Sequence, residues 1–293
     1  MIRSRRRSTR SRRSRSYGSK GSTKSNPVNK FFDKIFVINL YDNVKRWKEV
    51  IPQFKRLGVD VQRFVAVDGR CKASEAECIQ KLKSFELAYD VEIPFKGKKA
   101  RSVLPAASLA IGTVLLLRAM IRNNWKRILI CEDDIHVVRG FMKKFEEILK
   151  EQKGRRWDLL YLGCGQECGV HDISEKRDRH HRYVSTWVEN GDSDDEDIYV
   201  HHRDDLRMPC GDMCEEVTEH LTKVYNAGGT WCYAYSLTGA KKVLKAIGDN
   251  IDDHIDQILM KLQYDGTVTA LAADPPLVMH EDMRGSRKSD IPW

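Results

Sequence analysis

The stretch "ILICEDDIHV", Ile128–Val137, opens with an unbroken apolar run and then sets Glu132, Asp133 and Asp134 side by side, with His136 just beyond. Ile128 to Cys131 reads as a strand buried on both faces, as in a parallel sheet covered by helices. In open α/β sheets the ligand crevice lies beyond the carboxyl ends of the strands, which is where the three acids fall. In an extended chain Glu132 and Asp134 point to one side and Asp133 to the other. Carboxylates this close raise one another's pKa unless a cation neutralises them. Oxygen ligands suit Mg²⁺ or Mn²⁺, ions that keep open positions for water and substrate phosphates. The competing reading is a solvated strand end whose acids pair with basic side chains.

Working outward, "KIFVINL" (Lys34–Leu40) reads as a strand and Asn43–Gly58 as a helix stopped by Gly58, with a kink or break expected at Pro52. Val61–Gly69 reads as a second strand ending in a turn, and residues 73–90 as helical. A long apolar helix is expected from about Ala106 to Asn123, then the Ile128 strand, an amphipathic helix at "FMKKFEEILKEQ", and a buried strand at Trp157–Gly163. A strand at Trp231–Ser236 leads into a helix with Thr238 as N-cap. "IDDHIDQILMKLQ" reads as a short helix, "TVTALAA" as a strand, and the C-terminus from "DPPLVMHED" as a loop. Alternating strands and helices predict a doubly wound, mostly parallel α/β sheet.

The 293 residues suffice for one large α/β domain. The net charge of +9 belongs to one end. Residues 1–24 hold eight Arg and two Lys with no acid, so the remainder is close to −1. This Arg/Ser-rich tail has too little apolar surface to offset its ordering entropy and reads as disordered. Residues 1–30 are taken as the tail and 31–293 as the folded domain, with a polar Cys/His/acidic insertion at about 164–222. The tail is either an arm for nucleic acid or acidic surfaces or a solvated segment. No apolar segment follows the basic start. The most apolar run, Val103–Leu117, carries Pro105 and Gly112 and reads as a core helix rather than a membrane span. A cytoplasmic protein with free thiols is therefore expected. Among eight cysteines, Cys164-x3-Cys168 and Cys210-x3-Cys214 stand near several histidines. A structural Zn²⁺ site there and thiols that merely close a loop are both open.

The segments "VINLYDNVKRW", "RFVAVDGR", "ILICEDDI", "WDLLYLG", "GGTWCYAYSLTGAKKVL", "HIDQIL" and "PPLVMHED" follow in this order. With them the chain resembles glycosyltransferase family 25, the family of bacterial lipooligosaccharide galactosyltransferases and of collagen-modifying galactosyltransferases, from about Lys34 to Ile291. The resemblance implies a GT-A-like fold, a UDP-sugar donor (UDP-galactose or UDP-glucose), Mn²⁺, inversion at the anomeric carbon, and a glycan or hydroxylated-protein acceptor. It implies that Glu132 and Asp134 bind the metal, with His280 as a further ligand and Asp133 toward the nucleotide. By the same resemblance Asn39 and Arg46 would contact the nucleotide, Asp68 and Gly69 would lie near uridine, and Asp256 would be the general base. Each has a plainer rival: Arg46 a surface charge, Gly69 a turn residue with positive φ, Asp256 an acid favoured at a helix N-terminus among Asp252, Asp253 and His254. Gly228 and Gly229 either admit an acceptor or make a turn.

One segment departs from the family pattern. Where the family has an acid, a cysteine and a Ser-His pair around Gly112, this chain has "LAIGTVLLL". That substitution implies a different sugar or weakened catalysis. The two functional expectations are a metal-dependent hexosyltransferase and, as the alternative, a nucleic-acid-associated protein acting through residues 1–24 with a degenerate α/β domain.

Overall fold

The computed structural model describes residues 26–94, 98–164 and 214–280. Residues 1–25 of the expected tail, most of the insertion, and Cys168 and Cys210 lie outside them, whereas residues 27–30, also expected in the disordered tail, are helical and bury Val28. The chain builds an eight-stranded mixed sheet. Its first edge is β2 (Gln62–Val65), β1 (Lys34–Asn39) and β3 (Arg127–Cys131), mutually parallel. Apart from Lys34, Asn39 and Arg127, β1 and β3 are apolar because both faces are covered. Phe36, Ile38, Ile128 and Ile130 face one core, and Ile35, Val37, Leu129 and Cys131 face the other. Two-residue alternation thus serves two cores at once.

The first core lies under α3 (Glu75–Tyr89), α4 (Ala100–Arg122) and the later helices. The second lies under a short helix α1 (Pro27–Phe31), α2 (Val44–Leu57) and α5 (Phe141–Glu151). α4 starts six residues before the expected boundary. It is long and apolar enough to cross a membrane by length and composition, but 67% of its most apolar window is buried in the fold. The charged start, Arg101 and Ser102, lies on the exposed side.

Several local expectations are corrected. Pro52 leaves α2 unbroken, and Gly58 closes that helix in the left-handed conformation. The helix after "CYAYS", α6 (Leu237–Ile247), is capped by Ser236, whose side chain accepts from the Gly239 N–H, rather than by Thr238. Residues 214–222, expected within the insertion, belong to a hairpin, β6 (Cys214–Thr218) and β7 (Leu221–Val224), at the far edge of the sheet. The expected loop at the C-terminus carries β10 (Val278–His280), which pairs antiparallel with β4 (Ile135–Val137). The free-thiol expectation holds for Cys131 and Cys232 but not for Cys71 and Cys78, which form a disulfide, nor for Cys164 and Cys214, which are each disulfide-bonded. The latter two are thereby withdrawn from the expected zinc set, since zinc needs free thiolates.

Between these edges run β8 (Cys232–Ser236), β5 (Leu159–Gly163) and β9 (Ala270–Ala273). β8 is antiparallel to both β3 and β5. This reversal brings the start of β8 level with the end of β3, so the residues just before Cys232 meet the acids just after Cys131.

Candidate functional site

Beyond the ends of β1, β2 and β3 lies an open cleft. Ala66, Val67, Pro105 and Leu109 give it an apolar side, and Arg46, Asn39, Glu132, Asp133 and Asp134 a polar one. The polar side and the side chains that contact it come from five places in the chain. Asn39 is the last residue of β1, and its amide nitrogen donates to the Asp133 carboxylate. Arg46 stands in the first turn of α2, which Asn43 caps by accepting the Arg46 N–H. Its guanidinium bridges Asp133 Oδ1 at 3.2 Å and Asp134 Oδ2 at 2.9 Å. The β4–β10 pairing sets His280 opposite Ile135, which brings His280 Nε2 to 3.2 Å from Asp134 Oδ1. From the start of β8, the Thr230 hydroxyl donates to Glu132 Oε1 at 2.8 Å, and Trp231 stacks on the His280 ring with centroids 5.5 Å apart.

The charges are only partly compensated. Burial, reinforced by Asp134, pushes Glu132 up to about 8. Burial also raises Asp133 against the pull of Asn39 and Arg46. For Asp134 burial acts upward, but the His280 and Arg46 contacts outweigh it and hold the carboxyl below its usual range. Asp134 Oδ1 has His280 Nε2 3.2 Å away, whereas Asn39 Oδ1 is buried without a hydrogen-bond donor. A buried acceptor left in this state costs roughly 1–3 kcal/mol. Glu132, Asp134 and His280 can each direct one ligand atom inward, all within 4.8 Å of one another. Carboxylate oxygens with one imidazole form a donor set suited to Mn²⁺ or Mg²⁺. The residues therefore fit a divalent cation.

The remaining expected residues lie at different distances from this cluster. Gly69 lines the cleft, but its φ is not positive. It is glycine because α4 presses on it: a Cβ would collide with the Leu104 carbonyl oxygen and stand 2.5 Å from Ser108 Oγ. Asp68 acts through a neighbour. Its carboxylate takes two bonds from the Arg70 guanidinium, which holds its pKa down to about 2, and Arg70 lines the cleft while also gripping Asp42. Asp256 is not among the cleft-lining residues. It lies in the first turn of α7 (Ile255–Tyr264), partly exposed, its Oδ1 accepting from the Gln257 N–H. Its field and that of Glu132 both reach the buried Tyr233 phenol and help push it upward, after burial itself. Asp256 and the acid cluster thus approach Tyr233 from separate elements.

Sequence reasoning missed Thr230, Trp231 and Arg70. The glycine pair before Thr230 was a signal. Gly229 takes a positive φ of 75°, and Gly228 lies where a Cβ would stand 3.0 Å from Met260 Sδ. The altered segment around Gly112 has a visible role as well. Leu109 and Gly112 line the cleft, and a Cβ at Gly112 would touch Phe64 at 3.4 Å.

A Rossmann-like α/β sheet with its acids, imidazole and guanidinium gathered at a carboxyl-edge cleft defines a GT-A-type ligand-binding fold. The sequence profile described as "Glycosyltransferase family 25 (LPS biosynthesis protein)" matches residues 110–259. Proteins named "Glycosyltransferase 25 family member" are similar to this chain in three insects. The Anopheles gambiae protein is 31% identical over 138 residues, 44% of this chain and 21% of that protein. The Aedes aegypti protein is 26% identical over 132 residues, with the same two shares. The Drosophila melanogaster protein is 27% identical over 132 residues, covering 45% of this chain and 21% of its own length. The chain belongs to glycosyltransferase family 25. The match spans about a fifth of the length of these curated relatives.

Proposed function

We propose that this chain is a metal-dependent glycosyltransferase that moves a hexose, galactose or glucose, from a UDP-sugar to an acceptor hydroxyl with inversion. The observation that carries this reading is the cluster of Glu132, Asp134 and His280, whose two acids line the polar side of the cleft and whose Glu132 is pushed up to about 8 by burial and the Asp134 charge. Family membership supports the reaction class.

Glu132, Asp134 and His280 would hold Mn²⁺ or Mg²⁺, and the ion would supply positive charge against a diphosphate leaving group. Arg46 adds a fixed cation beside the same oxygens, positioned before substrate arrives and costing no reorganisation when charge develops. Asn39 and Asp133 brace that guanidinium. The apolar side, Ala66, Val67, Pro105 and Leu109, receives the flat face of a base and excludes water from it. Asp256 is the proposed general base, taking the acceptor hydroxyl's proton as the hydroxyl attacks the anomeric carbon. The acceptor is a glycan or hydroxylated side chain. The disulfides favour an oxidising surrounding over the cytoplasmic one expected from the start of the sequence.

The test is release of UDP from a panel of UDP-sugars with a hydroxylated acceptor, with and without Mn²⁺. The reading expects Mn²⁺-dependent release with a hexose donor. It also expects Asp256→Asn to lower kcat about 100-fold with KM little changed. Turnover indifferent to Mn²⁺ removes the metal from the account, and full activity of Asp256→Asn removes the base.

A further inference from the structure

Cys131 ends β3 and Cys232 begins β8, and the antiparallel ladder sets them directly opposite each other. Residues opposed in this way have Cα atoms about 4.5–5.5 Å apart, inside the roughly 4.4–6.8 Å that a disulfide spans. Both side chains are fully buried in the same core. Their sulfur atoms are 2.9 Å apart, closer than the roughly 3.5–4.0 Å at which two smaller carbon atoms rest. A thiol is a weak donor and weak acceptor, so hydrogen bonding alone is a poor reason for such an approach. Among the described residues these are the two free cysteines, and Cys71, Cys78, Cys164 and Cys214 are all disulfide-bonded. Surroundings that keep those bonds oxidised favour the same chemistry here.

We propose that Cys131 and Cys232 form a disulfide in the mature protein, a covalent link between β3 and β8 directly beneath the acid cluster. The bond forms by two exchanges with a small-molecule disulfide such as oxidised glutathione. One cysteine thiolate attacks that disulfide, giving a mixed disulfide and releasing one glutathione thiolate. The second cysteine thiolate then attacks the protein sulfur of the mixed disulfide and releases the other. The two protein thiols give up two electrons and two protons, and one glutathione disulfide becomes two glutathione thiols. Burial of both sulfurs in the finished fold requires the exchange to precede closure of the second core around them.

The link has a structural consequence at the site. Immediately past it, the Glu132 N–H donates to the Trp231 carbonyl at 2.9 Å, Thr230 holds the Glu132 carboxylate, and Trp231 backs His280. A bond at Cys131–Cys232 fixes the segment carrying Glu132 and Asp134 against the segment carrying Thr230 and Trp231. It joins parts of the chain 101 residues apart.

The test is disulfide mapping of the full chain. The protein is folded in a buffer of oxidised and reduced glutathione, then unfolded in guanidinium with N-ethylmaleimide present from the outset. It is digested without reduction and read by mass spectrometry. Unfolding before alkylation removes burial as a reason for protection. The expected result is a cross-linked peptide pair containing Cys131 and Cys232 in most molecules, neither carrying maleimide. Maleimide on both residues in most molecules overturns the proposal, and so does either residue linked to a different cysteine.

Discussion

Among the described residues, two places gather two carboxylates and an imidazole within 4.8 Å: Glu132, Asp134 and His280 beside the cleft, and Glu151, Glu219 and His220 at the end of α5. Their composition is alike but their electrostatic condition is not. At the second place Glu151 accepts from the Thr218 hydroxyl, the His220 backbone N–H and the His220 ring, and these bonds outweigh burial and lower its pKa. Its oxygens are satisfied by the β6–β7 turn, so the cluster fastens α5 to that hairpin. At the first place Asp134 is likewise held low by His280 and Arg46, but burial and the neighbouring Asp134 charge push Glu132 up to about 8. The difference teaches that a metal-like residue set is informative when the protein leaves it incomplete. A satisfied cluster is a clasp, whereas an unsatisfied buried one is built for something that arrives.

The largest contrast should appear in activity. Asp134→Ala is expected to lower kcat/KM for sugar transfer by about 100-fold or more, as removing charge stabilisation at a reacting centre does. Glu151→Gln should leave transfer within about 2-fold and instead lose about 1–2 kcal/mol of stability through weakened hydrogen bonds. Steady-state UDP release and denaturant melts on the same two proteins check both halves. Equal activity losses would erase the distinction between the clusters.

A second contrast separates glycines that shape the cleft from those that only turn the chain. Gly69→Ala drives a methyl into the Leu104 carbonyl and Ser108 and should cost about 2–4 kcal/mol. Gly154→Ala has open space around it and only a positive φ of 80° to contend with, so about 1 kcal/mol is expected. Urea midpoints of the two variants give the comparison. If Gly69→Ala proves the milder, the close packing of α4 on the cleft is wrong.

The smallest effect concerns charge inside the second core. Lys144 on α5 is buried, and desolvation pushes its ammonium from 10.5 down to about 7. Between those values the unfolded chain binds the extra proton and the folded chain does not, so wild-type stability rises as pH climbs from about 7 toward 10.5. The destabilisation is fully present below pH 7. Lys144→Met should therefore be more stable than wild type by about 1–2 kcal/mol near pH 6, with the advantage shrinking toward pH 10. Paired melts across that range test it, and a constant difference would show that the ammonium is not the cause.

Much of this could be read from the chain. The apolar runs at Lys34–Leu40, Ile128–Cys131 and Trp157–Gly163 identify sheet strands because each serves two cores. The acids after Cys131 mark the carboxyl edge because polar groups emerge where cover ends. Strand direction was less legible. Nothing local in "TWCYAYS" says that β8 runs against its neighbours, and that reversal is what delivers Thr230 and Trp231 to Glu132. His280 was expected as a further ligand through family resemblance, but the strand that brings it to Asp134 was not. "LVMH" reads as loop because three residues pairing with the short β4 leave no periodic signal. Gly69 was expected near uridine by resemblance, with a positive-φ turn as its plainer rival, whereas the structure requires its missing side chain. Pairings across long sequence separations, such as Cys131 with Cys232, depend on register, which composition does not encode.

Titrating the folded chain with Mn²⁺ in the presence of UDP, by calorimetry or by the paramagnetic signal of free Mn²⁺, tests the cation site most directly. Wild type and Glu151→Gln should bind one ion with matching affinity, and Asp134→Asn should bind at least about 10-fold more weakly, about 1.4 kcal/mol. Undiminished binding by Asp134→Asn, or binding lost in Glu151→Gln instead, would contradict the assignment of the cleft cluster as the metal site.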